Sequence, residues 1–522
     1  MIKAMMKSCV VSWACLLPLS GKYCIPLGII QRQTITGSVV SYVGVLLGFV
    51  TTGLMLPHLF TEAENGVIKI LVANAALFGQ LGTIGFTGVI SRMFTYFRGK
   101  KGDHHGFMRL TLIVSLAGSL LTAVIFYLLR QWLISGSNEA DNLMLGDFVL
   151  LVIPMIFANV FFQAFDNFYK VLFDAVKGSL YREVYQRIFT LLLIIGYFYS
   201  EMSFFVFIVL YVAGYALPTV MLMLSLYRDG ELKLTSDPGF LSPSLQKEMI
   251  SVSLFNIVIG FSNIAILNID SLMINKMVGL DDTGIYGITY FFGTLVVIPS
   301  RILMKISSTF IAESWKTGNL DQIKDIYYRT SINQFVIGSL IFIGLWGNLP
   351  NIYHLLPDSY AAGGWVIILI ALTNLLEMLG GASAVIISVS PRYKALSYMM
   401  VMLLLLIVGT NLVFIPQWGI TGAALASLVS YAVYVLVRFA FLYHHHRFQP
   451  FTAGHLKVVA ITLATYGTQY LLPELPHFIL DIFIRSLIMV LVFSALSYVF
   501  GVSEEVTRGG LWLFDKAGIR KQ

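Results

Sequence analysis

The stretch NLVFIPQWGITGAALASLVSYAVYVLVRF, Asn411 to Phe439, holds two apolar segments with almost nothing between them. Pro416 lacks an amide donor and restricts the residue before it, so it is expected to end the first segment. Trp418 suits a membrane-interface belt, and Gly419 permits a tight reversal. Gly422, Ala423, Ala426 and Ser427 then give the second segment a surface that lets a neighbouring backbone come close. The reading is a close-packed helical hairpin inside a membrane.

The rest of the chain agrees. Its 522 residues are 57% hydrophobic and 12% charged, with mean hydropathy +0.81, whereas soluble domains carry roughly a quarter charged residues. Apolar runs of about 18 or more residues recur, each long enough to cross about 30 Å of hydrocarbon. In lipid such runs are helices or closed barrel strands, and without two-residue alternation a barrel is excluded. The fold class is all-α: a polytopic membrane protein of about fourteen transmembrane helices, with two pseudo-symmetric six-helix lobes plus two C-terminal helices. Cys9, Cys15 and Cys24 all lie near the start, which leaves no disulfide framework or thiol metal site in the body.

Charge sets the orientation. With the N-terminus inside, the outer half holds Lys69, Arg130, Lys276 and Arg485, and the inner segments hold the remaining Lys and Arg, as in 92–109, 169–187 and 392–394. This skew follows the positive-inside rule and puts both termini in the cytoplasm. It also accounts for the net charge of +7 without nucleic acid. The polar segment between spans six and seven, 228–248, reads as a linker between lobes at 28–227 and 249–442. Residues 443–500 supply two further spans and 501–522 a cytoplasmic tail. Residues 1–27 read as a non-native or disordered extension, with translation starting near Leu27. TEAENGVI (61–68) after span one and GLDDTGIY (279–286) after span seven form a faint internal repeat. Six spans per half is an even number, so both halves insert alike.

Polar residues within the spans are costly, so they mark candidate sites. In span two (67–90), Lys69, Ala73, Ala76, Gln80, Thr83 and Thr87 fall on one helical stripe, with Asn74 beside it. Span seven carries Asn256, Gly260, Asn263 and Asp270, with Asn268 adjacent. Span eight lines up Tyr286, Tyr290, Gly293 and Arg301. Span ten (361–387) carries Asn374 and Glu377, continued by Gly381, Ala384 and Ser388. The cavity candidates are therefore Lys69, Asn74, Gln80, Asn256, Asn263, Asn268, Asp270, Tyr290, Arg301, Asn374 and Glu377, and Asp270 and Glu377 are the ion-coupling candidates. Each stripe has a bland counterpart: close helix packing, a snorkelling Lys69, or a paired structural Glu377. Asp481 and Arg485, four apart, are expected to pair with each other. HHHR (444–447) with His455 is a weak metal candidate and is read as interfacial. No Walker A sequence or nucleophile–base arrangement is legible, so neither an ATP-driven pump nor an enzyme is expected, and no metal or cofactor.

The hairpin pattern N-x-x-F-I-P-x-W-G-I-x-G-A-A-x-A resembles that of bacterial polysaccharide exporters of the Wzx (O-antigen flippase) type, in the multidrug/oligosaccharidyl-lipid/polysaccharide (MOP) superfamily. Residues 268–302, NIDSLMINKMVGLDDTGIYGITYFFGTLVVIPSRI, and 28–50, GIIQRQTITGSVVSYVGVLLGFV, are similar to other parts of that family, as is YFRGKKGDHHGF (96–107). The resemblance covers about 28–500. It implies alternating access around a central cavity and an undecaprenyl-diphosphate-linked oligosaccharide as cargo, turned from the inner to the outer leaflet of the bacterial inner membrane. H+ or Na+ would be the coupling ion, and a polysaccharide polymerase and chain-length regulator the candidate partners. Cavity cations are expected for the diphosphate, and here Lys69 and Arg301 are the ones on offer. The competing readings are a cation-coupled multidrug antiporter, a lipid II flippase and, from another class, a membrane glycosyltransferase or polymerase.

Overall fold

The computed structural model describes residues 29–505 apart from 100–102, 137, 236–238, 474 and 504. The expectations for 1–27 and for most of the 501–522 tail lie outside them. All regular elements among the described residues are helical. Ten helices are long and apolar enough to cross a membrane, or eleven when one bent pair is counted as a span.

The first half of the chain comprises α1 (Ile29–Gly48), α2 (Glu62–Gly82), α3 (Phe86–Phe97), α4 (Phe107–Ile134), α5 (Glu139–Val171), α6 (Gln186–Tyr199) and α7 (Phe204–Arg228). The second comprises α8 (Pro243–Met277), α9 (Leu280–Thr317), α10 (Leu320–Gly347), α11 (Gly364–Leu379), α12 (Ser383–Val389) and α13 (Lys394–His446), followed by α14 (Ala453–Gly467) and α15 (Phe478–Val499). The packing is that of a two-lobed fold, and α2 and α9 meet along the seam between the halves.

Helix α4 shows what drives the packing. Thr111, Ser115, Gly118, Ser119 and Thr122 fall on one stripe and are buried, whereas Ile113, Leu116, Leu120, Leu121, Val124 and Leu128 are exposed. The small polar residues turn inward and the bulky apolar ones outward, as expected where lipid removes any hydrophobic drive between helices. A Cβ on Gly118 would lie 2.0 Å from the Gly82 carbonyl oxygen, so these two backbones need a glycine to touch.

Three expectations about helix ends are corrected. Pro416 does not end its helix: α13 runs on to Trp418, and the chain reverses at Gly419 (φ 55°, ψ −133°). A proline in a final turn forfeits little, because few intrahelical bonds remain there. The returning helix then packs so tightly that a Cβ on Gly422 would lie 2.1 Å from the Phe414 carbonyl oxygen. Span two is not one straight helix, because α2 and α3 are bent by 43° at Thr83–Gly85, where Ile84 and Gly85 both have positive φ. The carbonyl of Gly85 accepts from Asn256 Nδ2 at 3.1 Å, which satisfies a backbone group at the bend. Span ten also breaks, between α11 and α12, with Gly381 at φ 52°. There Ser331 donates to the Leu379 carbonyl (2.7 Å) and Thr330 accepts from Ala382 N–H (3.2 Å).

The segment joining the halves is pinned to the first one. Asp229 accepts from Lys177 (2.6 Å) and Tyr169 (2.8 Å), His104 meets Glu231 at 2.8 Å, and His105 stacks on Phe240 with centroids 4.1 Å apart.

Candidate functional site in the seam between the halves

Asp270 is the centre of the most elaborate polar cluster in the second half. It lies on α8, 5% exposed. Its carboxylate accepts from Asn411 Nδ2 (2.6 Å), Ser427 Oγ (2.8 Å) and Tyr286 Oη (2.9 Å). Asn411 and Ser427 face each other across the α13 hairpin, so the reversal at Gly419 puts both beside one acid. Asn411 is fully buried and its Oδ1 has no hydrogen-bond partner among the described residues. The two ends of an amide exchange by rotation, and rotating Asn411 would set its oxygen beside Asp270 Oδ1. A carboxylate, an amide oxygen and hydroxyls then converge, a set of hard oxygen donors suited to a small cation.

Lys69 approaches this cluster from the other half of the chain. It does not snorkel to the surface. Its stem lies along Gly287, and its ammonium stands 5.7 Å from the Tyr290 ring centroid and within electrostatic range of Asp270. No ion pair of Lys69 is found among the described residues. Tyr290 in turn packs against Tyr286, with centroids 5.6 Å apart. Thus α2, α8, α9 and α13 join into one polar tract at the seam.

Glu377 has a partner that sequence reading passes over. Arg438, on the returning arm of α13, is fully buried and holds it in a two-pronged pair, Nη1 to Oε1 at 2.9 Å and Nη2 to Oε2 at 2.5 Å. The guanidinium also lies 4.3 Å from the Tyr434 ring. Arg438 counts as an ordinary inner-side charge in a hydropathy reading, and 61 residues separate it from Glu377, so no local spacing reveals the pair.

The other candidates are dispersed. Gln80 is buried across the seam against Gly260, whose Cβ would lie 2.3 Å from Gln80 Nε2. Asn256 donates to Gly85 and to Thr87 (3.0 Å), so it ties α8 to the bend of α2 and α3. Asn74 and Asn268 each donate to the carbonyl four residues back, and Asn74 Oδ1 is buried without a partner among the described residues. Asn374 joins α11 to Gly293 of α9 at 3.3 Å, which draws Gly293 into packing. Asn263 and Arg301 are exposed. Lys305, one turn beyond Arg301 and also exposed, points its ammonium to within 3.1 Å of where a Cβ on Gly37 would stand. It therefore reaches α1 of the opposite half, a placement that sequence reading misses. Asp481 and Arg485 pair at 2.5 Å as expected. His455 bonds Ser331 (3.0 Å) and the Thr452 N–H (3.2 Å), and His446 stacks on Phe448. Among the described residues no three His, Cys, Asp or Glu side chains gather as a metal set.

No family model and no curated protein matches the chain. Solved structures do. The lipid II flippase MurJ in an inward closed conformation superposes on 89% of this chain and 98% of its own, with TM-score 0.67 and 15% identity. An inward-facing multidrug resistance MATE family transporter of the MOP superfamily covers 77% of this chain and 93% of its own, at TM-score 0.58 and 14% identity. The chain has the MOP fold. An outward-facing MATE structure matches too, at TM-score 0.54 and 13% identity over 81% of this chain and 98% of its own. Within the MOP fold the likeness to MurJ spans more of this chain than the likeness to either MATE structure, and at 13–15% identity what they share is architecture.

Proposed function

We propose that the protein is a flippase of the bacterial inner membrane that carries an undecaprenyl-diphosphate-linked oligosaccharide from the inner to the outer leaflet by alternating access. The observation that carries this reading is a set of three cations: Lys69 in the seam, and Arg301 and Lys305 exposed on α9, the latter reaching α1 of the other half. Lys69, Arg301 and Lys305 come from both halves and have no ion pair among the described residues, so they are free to meet a diphosphate. A sugar headgroup would occupy the polar tract beside them, with Gln80, Asn263 and Tyr290 along it, while the prenyl tail stays in lipid. The greater overlap with a lipid flippase than with multidrug transporters supports a lipid-linked cargo over a soluble drug.

The reading assigns 28–227 and 249–442 as six-helix lobes, 443–500 as two added helices, fourteen spans in all and both termini inside. The flippase reading needs no catalysis, because transport breaks no bond. The Asp270 cluster would take the coupling cation, Na+ or H+. A cation bound there neutralises a buried acid close to Lys69, and so biases which face the lobes present. Glu377, held by Arg438, serves better as a brace than as a second coupling acid.

Depletion of the protein in cells tests the reading. Lipid-linked oligosaccharide should build up on the inner leaflet while surface polysaccharide falls. Unchanged surface glycan without build-up refutes it, and accumulation of lipid II with lysis instead assigns the protein to peptidoglycan export.

A further inference from the structure

The two copies of the internal repeat touch each other. Aligning TEAENGVI (61–68) with GLDDTGIY (279–286) pairs Gly66 with Gly284 and Glu62 with Leu280. A Cβ on Gly66 would lie 2.2 Å from the Leu280 carbonyl oxygen, and one on Gly284 would lie 2.0 Å from the Glu62 carbonyl oxygen. Each glycine therefore rests on the carbonyl that corresponds, in the other copy, to the residue four before it. The contact is two-fold, and its closeness requires both glycines.

Hydrogen bonds cross the seam on both sides of this contact, one a helix cap and the others between side chains. Asp141, at the start of α5, accepts from the Leu280 N–H at the start of α9 (2.9 Å). In return Ser359 Oγ, just ahead of α11, donates to Glu62 Oε1 at the start of α2, and Asn65 Nδ2 donates to Tyr360 Oη at 3.0 Å. Asp141 opens α5 and Ser359 and Tyr360 lie just ahead of α11, helices that correspond in the two halves under a repeat of six spans. The contact also sets Asp281 near Asp141 and Glu62 of the other half, while its carboxylate accepts from the Ala63 N–H across the seam, so like-charge repulsion opposes a contact that the glycines and hydrogen bonds hold together.

We propose that this paired-glycine contact, with the hydrogen bonds beside it, is the outer gate of the transport cycle, and that opening to the outside parts it as one unit. The proposal rests on alternating access but not on the identity of the cargo. No sugar-lipid is needed to test it.

The test uses the full chain in cells, with Cys9, Cys15 and Cys24 replaced by Ser and Asn263→Cys as reporter, labelled by a membrane-impermeant maleimide. Gly66→Ala and Gly284→Ala, each worth at least 1 kcal/mol against closure, should raise outer-face labelling about fivefold or more. Gly344→Ala, which meets nothing within 4 Å, should leave it unchanged. If the glycine variants fail to reach the membrane, Glu62→Cys with Ser359→Cys replaces them. Oxidising that pair should block outer labelling of the reporter, and reduction should restore it. Labelling that ignores both the glycine changes and the cross-link overturns the gate.

Discussion

Replacing Glu377 by Gln should destabilise the protein, and replacing Arg438 as well should restore most of the loss. Arg438 is fully buried and its guanidinium spends both terminal nitrogens on Glu377, while its Nε has no partner among the described residues. A neutral amide in place of the carboxylate strands that charge. Breaking a fully buried pair costs about 3–5 kcal/mol. The Glu377 side chain keeps 31% of its surface exposed, so screening lowers the expected loss to about 2–3 kcal/mol. Glu377→Gln with Arg438→Met removes both charges and should come within about 1 kcal/mol of wild type, giving a coupling of about 2 kcal/mol in a double-mutant cycle. Unfolding of the purified chain in detergent, followed by denaturant or heat, reads these differences. A loss below about 0.5 kcal/mol for Glu377→Gln would mean that the pair does not brace α11 against α13. Export then separates brace from coupling. The double variant should export normally if Glu377 is a brace, and export should fail in both variants if it moves a proton.

At the hairpin, Gly419→Ala places a side chain at φ 55°, ψ −133° and should cost about 1–3 kcal/mol, whereas Gly344→Ala, in open space on α10, should gain roughly 0.5–1 kcal/mol; thermal melts of the two should move in opposite directions. In the segment joining the halves, the Lys177 ammonium and the Tyr169 hydroxyl hold the Asp229 carboxyl below the usual carboxylate range. A depressed carboxyl contributes above its unfolded value and loses that contribution as pH falls through its folded value. Asp229→Asn should therefore lower stability slightly at pH 7, and the difference should vanish only below the ordinary carboxylate range. A difference that is gone already at pH 5 would refute the assignment.

What the sequence reveals and what it hides divide by distance along the chain. Gly419 is legible because a reversal between two apolar runs needs a residue free to adopt positive φ. Asp481 and Arg485 are legible because four residues make one helical turn. The repeat at 61–68 and 279–286 is visible as a pattern, but that its copies touch depends on how the halves dock. Asn411 and Ser427 stand in plain view in the hairpin motif, yet they lie 141 and 157 residues from Asp270, and no periodicity links them. The stripes through Thr87 and beyond Glu377 assume straight helices. The breaks at Gly85 and Gly381 depend on partners elsewhere in the fold, Asn256 at the first and Thr330 and Ser331 at the second, which local sequence does not announce.

Reconstitution of the purified chain tests the central claim most directly. In vesicles carrying a fluorescent prenyl-diphosphate oligosaccharide in both leaflets, an ion gradient should drive the headgroup across, as read by loss of protection from an added, impermeant sugar-modifying enzyme. Wild type should do so at a rate that falls at least about tenfold, a barrier increase of about 1.4 kcal/mol, in Lys69→Ala and in Asp270→Asn. Headgroup movement equally fast in vesicles without protein, or unchanged in both variants, would contradict a seam that carries the diphosphate past Lys69 under control of the Asp270 cluster.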